Sequence, residues 1–207
     1  MSLRARAALV YLLPLLLTYG GIVTAVSVGT RPTWSDVIAG ALPASGLLVL
    51  CQLLQDLFPS HLKEILVFFR LSHRLPGHRA YSEVCRNDPR IPEAFLDEVR
   101  ANNDMAPVAQ NSRWYAKYRK IHTEPAIEHA NLRFLAWRDG TCTLFALALL
   151  TPLLAVLSIL DWTEVLYVSM GCIVGALLMG TAARNAACSL VRHVVAFEAA
   201  GAIPSNT

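Results

Sequence analysis

A chain of 207 residues that is 55% hydrophobic and only 16% charged differs from soluble domains, in which roughly 25% of residues are charged. The charges, with a net value of +3, are concentrated in the middle of the chain, and four long stretches contain almost none. This distribution excludes an ordinary soluble globular protein. It predicts an all-α, polytopic membrane protein.

The four apolar stretches predict four transmembrane helices: residues 7–28, 37–58, 140–160 and 165–183. Each has about 19 to 22 residues, and about 20 helical residues cross a hydrocarbon core ~30 Å thick. Backbone groups cannot stay unpaired in lipid, so the spans must be helices. An alternative for the first stretch is a cleaved signal peptide; its length, against roughly 7 to 15 residues for a signal core, favours a retained span.

The distribution of basic residues predicts how the chain crosses the membrane. Of the 18 Lys and Arg residues, only Arg31 falls in a predicted outer loop. Two precede the first span, thirteen lie between Lys63 and Arg138, and two follow the fourth span. Because cytoplasmic loops carry the excess of Lys and Arg, both termini and the central segment are expected in the cytoplasm.

The predicted organisation has four parts. They are the first two spans in residues 1–58, a cytoplasmic helical domain in 59–139, the last two spans in 140–183, and a cytoplasmic C-terminal helix and tail in 184–207. Turn and capping signals predict helices over 60–75, 92–103, 110–122 and 123–140, the last running into the third span. The cytoplasmic domain is too small to bury a large core alone, so we expect neighbouring subunits to supply further burial.

The segment QNSRWYAKYRKIH, residues 110–122, combines aromatic side chains with four cations. Helical spacing predicts three stripes: Trp114, Tyr118 and Ile121; Arg113, Lys117 and Lys120; Tyr115, Arg119 and His122. Three interpretations stay open: aromatic core with a solvated cationic face, contact with anionic headgroups, or a site for a phosphorylated ligand or nucleic acid. The residues predicted to contact such a ligand are Arg113, Trp114, Tyr115, Lys117, Arg119, Lys120 and Arg133.

The chain lacks the common catalytic motifs: there is no phosphate-binding glycine loop, no HExxH and no nucleophile elbow. We therefore expect no enzymatic activity, no metal and no cofactor. The five cysteines show no paired spacing and are expected to be reduced thiols.

Two groups of residues in the spans predict packing or a pore. Gln52, Gln55 and Asp56 share one face near the inner end of the second span, where polar groups usually face a bundle interior or a watery path. Gly171, Gly175 and Gly180 lie on a stripe of small residues in the fourth span. Such a stripe lets helices approach closely, within one subunit or between copies in a homo-oligomer.

Two plus two membrane helices around a basic helical insert, with the segments QNSRWYAKYR and FLAWRDG, resemble the small four-span effectors of bacterial antiphage systems that pair with nucleotidyltransferases. The resemblance covers the layout of the whole chain. It implies an oligomeric inner-membrane effector, an ion channel or membrane-disrupting protein, gated by a nucleotide or oligonucleotide at the cytoplasmic domain. The alternative is a membrane adaptor that anchors a cytoplasmic partner protein.

Overall fold

A computed structural model describes residues 58–102, 106–158 and 160–202 of the chain. All regular secondary structure in these ranges is helical, which confirms the predicted all-α class for this part of the chain. Two helical segments, Pro125–Val156 and Trp162–Gly201, are long and apolar enough to cross a membrane. The first two predicted spans, with Gln52, Gln55 and Asp56, lie outside the described residues.

Six α-helices and two short helical turns make up the described fold. They are α1 (Ser60–Phe68), a 3₁₀ helix (Pro76–Arg79), a π-helical turn (Ala80–Val84), α2 (Glu93–Asn102), α3 (Pro107–Ile121), α4 (Pro125–Leu150), α5 (Pro152–Val156) and α6 (Trp162–Ala202). Helices α3, α4 and α5 each have a proline in the first turn, where its missing N–H costs no hydrogen bond. The predicted helix 92–103 is confirmed as α2, and α4 runs without a break from the central segment into the third predicted span.

Helix α1 is shorter than predicted. It ends at Phe68, because Phe69 adopts the left-handed conformation, with φ of 49°. Arg184 of α6 donates a hydrogen bond from Nε to the Val67 carbonyl (2.6 Å), and its guanidinium lies over the Phe69 ring. A carbonyl in the last turn of a helix has no partner within the helix, so this contact stabilises the early end.

The second half of α4 and the first half of α6 form an antiparallel pair, which we call the apolar hairpin. Ser169 donates a hydrogen bond to the Ala148 carbonyl near the hairpin's turn. Farther along, a Cβ built on Gly175 would lie 3.1 Å from Leu144, and one on Gly180 would lie 3.6 Å from Thr141. Two of the three predicted packing glycines therefore face α4 of the same chain. Gly171 has no atom within 4 Å of a built Cβ, so it faces away from the described residues.

The outer face of α6 is apolar and exposed. In the most apolar 18-residue stretch of α6 only 28% of residues are buried, whereas 56% are buried in the corresponding stretch of the segment Pro125–Val156. The large exposed residues along it are Leu166, Tyr167, Met170, Ile173, Val174, Leu177 and Leu178. Such a continuous apolar face is typical of a surface that contacts lipid or another apolar helix.

The C-terminal half of α6 completes the core of the central domain, which comprises α1 to α3, the two helical turns and the first half of α4. Leu190, Val191, Val194 and Val195 are all at most 5% exposed. They pack in one cluster with residues of the π-helical turn, α2, α3 and α4. The predicted C-terminal helix therefore packs on the domain and supplies buried residues to its core.

Replacing Ala183 by leucine should destabilise the described fold by about 1–3 kcal/mol, as overpacking does in filled cores. Ala183 is 0% exposed and packs with Val67, Phe68 and Phe134 where α1, α4 and α6 meet. The check is denaturant unfolding of the detergent-solubilised protein, with Thr181→Leu at an exposed neighbour as the control. Equal stability of the two variants would contradict close packing at Ala183.

Candidate functional site

The three predicted stripes of α3 lie in three different environments. Trp114 is 9% exposed and belongs to the core of the central domain, with Tyr118 and Ile121 packed against it. The Trp114 and Tyr118 rings stack with their centroids 5.4 Å apart. The interpretation of this stripe as aromatic core is therefore the one the structure shows.

Arg113, at the edge of the cationic stripe, is held by an ion pair with the far end of α6. Its Nη2 atom lies 2.9 Å from Glu198 Oε1, and its Nε donates to the same oxygen at 3.0 Å. The Tyr81 hydroxyl donates to Glu198 Oε2 at 2.6 Å, and the Arg113 guanidinium lies over the Tyr81 ring. Burial and the Glu198 carboxylate raise the pKa of Tyr81, so its hydroxyl stays a donor at neutral pH. This cluster joins α3, α6 and the π-helical turn.

Three of the other cations predicted at the ligand site lie toward solvent. Arg119, Lys120 and Arg133 are exposed, as is Tyr115 at 50%. The Arg119 guanidinium lies over the Tyr115 ring, 5.5 Å from its centroid. An aromatic ring with an arginine on its face is a surface suited to stacking and to phosphate contact.

Lys117 and Arg113 line a cavity of about 260 Å³ between α2, α3 and the end of α6. The same cavity is lined by the carboxylates of Glu98 and Glu198 and by the Asn102 amide. Its mixed charge does not favour a polyanion. The structure thus places Arg113 and Lys117 at one cavity and Trp114 and Tyr115 at another.

A second, larger cavity, about 360 Å³, lies within the central domain, at the junction of α1, α3, α4 and the C-terminal half of α6, and we call it the junction cavity. Its lining residues come from five elements: Glu64 of α1; Leu75, Pro76 and Gly77 around the 3₁₀ helix; Asn111, Trp114, Tyr115 and Tyr118 of α3; Asn131, Phe134 and Arg138 of α4; and Ala187, Leu190 and Val191 of α6. Mostly apolar walls with a few polar groups are typical of small-molecule sites.

Two residues that line the junction cavity each have one polar side-chain atom without a hydrogen-bond partner among the described residues: Asn111 Oδ1 and Trp114 Nε1. Both atoms are buried, and a buried polar group without a partner costs roughly 1–3 kcal/mol. Native structures retain few such groups, and they often mark a place where a ligand or water binds. Sequence reasoning missed Asn111, which carries no charge and belongs to no motif.

The charged residues of the junction cavity are already paired. Glu64 accepts a hydrogen bond from Arg74 Nε at 3.2 Å. Arg138 lies 2.9 Å from Asp139, and Lys63 lies 3.6 Å from the same carboxylate. The cavity therefore carries little free charge, and neutral groups decide what fits inside it.

Gln110 is a further residue that the sequence did not single out. Its Oε1 accepts hydrogen bonds from the backbone N–H groups of Tyr81 and Ser82 and from the Ser82 hydroxyl, each at 3.2 Å. These contacts bind the π-helical turn to the start of α3.

The described part of the chain offers few groups for metal binding or nucleophilic chemistry. No group of three or more His, Cys, Asp or Glu side chains in these ranges is placed to hold a metal ion. The described cysteines, Cys85, Cys142, Cys172 and Cys188, are free. Burial raises the pKa of the Cys85 thiol to about 12, so this thiol stays protonated and unreactive near neutral pH.

The comparisons with known proteins identify no relative. No protein family matches the chain, and neither does any curated protein or any solved structure. The geometry of the junction cavity and of α6 therefore carries the functional proposal.

Proposed function

We propose that the protein is a ligand-gated membrane effector, with the ligand site in the central domain and the responding element in the apolar hairpin. The observation that carries this proposal is the continuity of α6, a single helix of 41 residues. Its first half forms one side of the apolar hairpin, and its second half supplies Ala187, Leu190 and Val191 to the junction cavity. A group that enters the cavity therefore contacts the same helix that packs in the hairpin.

The proposed topology has four membrane spans, with both termini and the central domain in the cytoplasm of a bacterial inner membrane. The exposed apolar face of α6 supports a membrane location for the hairpin. The distribution of Lys and Arg supports the orientation. The resemblance in layout to antiphage effectors adds a nucleotide or oligonucleotide as ligand, a homo-oligomer as the active form, and ion conduction or membrane disruption as the outcome.

Gating requires that the ligand bind one conformation of the protein more tightly than the other. We propose that the junction cavity supplies this difference in affinity, because its walls come from five elements and a shift of α3 against α6 would change its shape. Ligand binding would then favour one arrangement of α6 relative to α3, and the hairpin would move with it.

The test is ion flux from liposomes that contain the purified full-length protein, with and without short oligonucleotides. We expect flux to respond to the oligonucleotide in the natural protein and to lose that response in Tyr115→Ala, which removes an exposed ring of the junction cavity. Phe197→Ala is the matched control, because Phe197 is also exposed (42%) and does not line this cavity. Absence of flux under every condition would contradict the channel proposal.

A membrane adaptor is the second candidate function. The observation that favours it is the exposed Tyr115–Arg119 pair, since Tyr and Arg are enriched at the centres of protein interfaces. Under this alternative, substitutions of Tyr115 and Arg119 would abolish capture of a cytoplasmic protein, and the liposomes would show no conductance.

A further inference from the structure

We propose that α1 and the segment that follows it lie in the headgroup region of the cytoplasmic leaflet, where they bind anionic lipid. We call the contact surface the interfacial patch: the apolar side chains of Leu62, Phe69 and Leu71, with the guanidinium groups of Arg70 and Arg184. The inference rests on the proposed membrane topology. It adds a lipid-binding surface that lies outside the four spans and outside the junction cavity.

The first step of the argument is the arrangement of the two ends of the apolar hairpin. A Cβ built on Gly140 would lie 3.0 Å from the Met179 side chain, so the start of the third predicted span lies beside the end of the fourth. Asp139 directly precedes the third span, and Arg184 directly follows the fourth. Both residues therefore mark the same boundary of the predicted membrane region.

Helix α1 contacts both of these boundary residues. Lys63, in its first turn, has its Nζ atom 3.6 Å from Asp139 Oδ1. In the last turn, the Val67 carbonyl accepts the 2.6 Å hydrogen bond from Arg184 Nε, and the Arg184 guanidinium lies 4.8 Å from the centroid of the Phe69 ring. Helix α1 therefore runs along the boundary of the predicted spans instead of extending away from it.

The second step is the character of the side chains exposed along this boundary. Leu62 is 41% exposed, Phe69 56% and Leu71 83%, the last being the largest exposed fraction of any large hydrophobic residue in the described ranges. The backbone beside them is held, because Arg74 donates from Nη1 to the Leu71 carbonyl at 2.9 Å and pairs with Glu64 of α1. Exposed apolar side chains on a held backbone at this depth are typical of an element that lies in the membrane interface.

The third step is the charge of the patch, which favours lipid over a second copy of the chain. Arg70 is exposed beside Phe69, and Arg184 donates to Val67 through Nε, so its Nη groups are not used in that bond. Cations beside apolar side chains match the phosphates and acyl chains of anionic lipids. A second copy packed on the same patch about a two-fold axis would bring its own Arg70 and Arg184 against these cations, and like charges oppose that contact.

The experiment measures the membrane depth of a spin label on the full-length protein in vesicles of phosphatidylethanolamine and phosphatidylglycerol. The label is attached at Leu71→Cys, and its collisions with oxygen, which concentrates in lipid, are compared with its collisions with a water-soluble nickel chelate. The spectrum of the natural protein gives the background from its own cysteines.

Two further labelling sites calibrate the depth. Phe197→Cys is the matched control in water, because Phe197 is also exposed (42%) and lies about 20 Å beyond Arg184 along α6, at ~1.5 Å per residue. Leu178→Cys is the reference in lipid, because Leu178 is 66% exposed and lies within the fourth predicted span.

We expect the Leu71 label to lose most of the nickel collisions that the Phe197 label shows and to approach the oxygen collisions of the Leu178 label. Replacing phosphatidylglycerol by phosphatidylcholine, or Arg70→Gln in the protein, should reduce this shielding, because each weakens the attraction between cations and anionic headgroups. Leu62→Cys repeats the measurement at the other end of α1 and should give the same result.

Equal nickel collisions at Leu71 and Phe197 would overturn the inference, and so would shielding of the Leu71 label from both reagents, which indicates contact with protein. Shielding that persists unchanged without phosphatidylglycerol would overturn the assignment of anionic lipid. The Leu178 label separates this inference from the proposed topology. If the Leu178 label is shielded from nickel and the Leu71 label is not, this inference alone fails, whereas free nickel access at Leu178 would contradict the topology and this inference with it.

Discussion

Replacing Glu198 by alanine is expected to release the end of α6 from α3 and to lower the free energy of unfolding by about 1–3 kcal/mol. The Glu198 side chain is 14% exposed, and it accepts hydrogen bonds from Arg113 and Tyr81. Removal of a buried ion-pair partner usually costs more, but Arg113 is 34% exposed, and solvent offsets part of the loss. Denaturant unfolding of the solubilised protein measures the change.

The same substitution should weaken the response of ion flux to ligand, because α6 would no longer follow α3. Glu98→Ala is the matched control, since Glu98 is exposed and lines the same smaller cavity as Glu198. Tyr81→Phe removes one hydrogen bond and keeps the ring beneath Arg113, so an intermediate loss of stability is expected. If Glu98→Ala and Glu198→Ala behave alike, the cluster does not hold α6 to the domain.

Replacing Val174 by lysine should prevent the apolar hairpin from crossing the membrane. Val174 is 52% exposed and lies at the middle of the fourth predicted span. A lysine at the centre of a span costs about 3 kcal/mol on insertion, which shifts an insertion equilibrium roughly 100-fold. The measurement is labelling of an Asp161→Cys marker in intact cells with a maleimide that does not cross membranes.

The Asp161→Cys marker should be labelled strongly when Val174 is retained, and the Val174→Lys substitution should abolish this labelling. The protein without the Asp161→Cys marker gives the background from its natural cysteines, and Ala200→Lys places the same charge at an exposed position beyond the predicted span. Undiminished labelling in the Val174→Lys variant would mean that this face of α6 contacts water or protein rather than lipid.

The sequence predicted helices well where local signals decide them. Pro125 in the first turn marks the start of α4, and acidic residues followed by Asn102 mark α2. Helix α3 begins at Pro107, three residues before the predicted helix 110–122, in a stretch that was predicted to be a linker. The early end of α1 could not be predicted, because it depends on Arg184, which lies 117 residues from Val67. Contacts across such distances leave no periodic pattern in the sequence.

The candidate site was predictable only in part. Tyr115 and Arg119 follow from helical spacing, and the structure places them together. The role of Arg113 was not predictable, since its partner Glu198 is 85 residues away on another helix. Nothing in the sequence indicates that Asn111 and Gly77 lie together, because their contact comes from the close approach of the 3₁₀ helix to α3.

The close contact of α4 with α6 restricts where ions would pass. Ala176 is 0% exposed, and the side chains of Leu144 and Thr141 fill the space opposite Gly175 and Gly180, so no continuous water path fits between the two helices. In the proposed channel, conduction would therefore have to follow the outward surfaces, where α6 of one copy would meet the spans of another. Each hairpin would then form one segment of the wall of a multi-subunit pore, and the number of subunits would set the pore diameter.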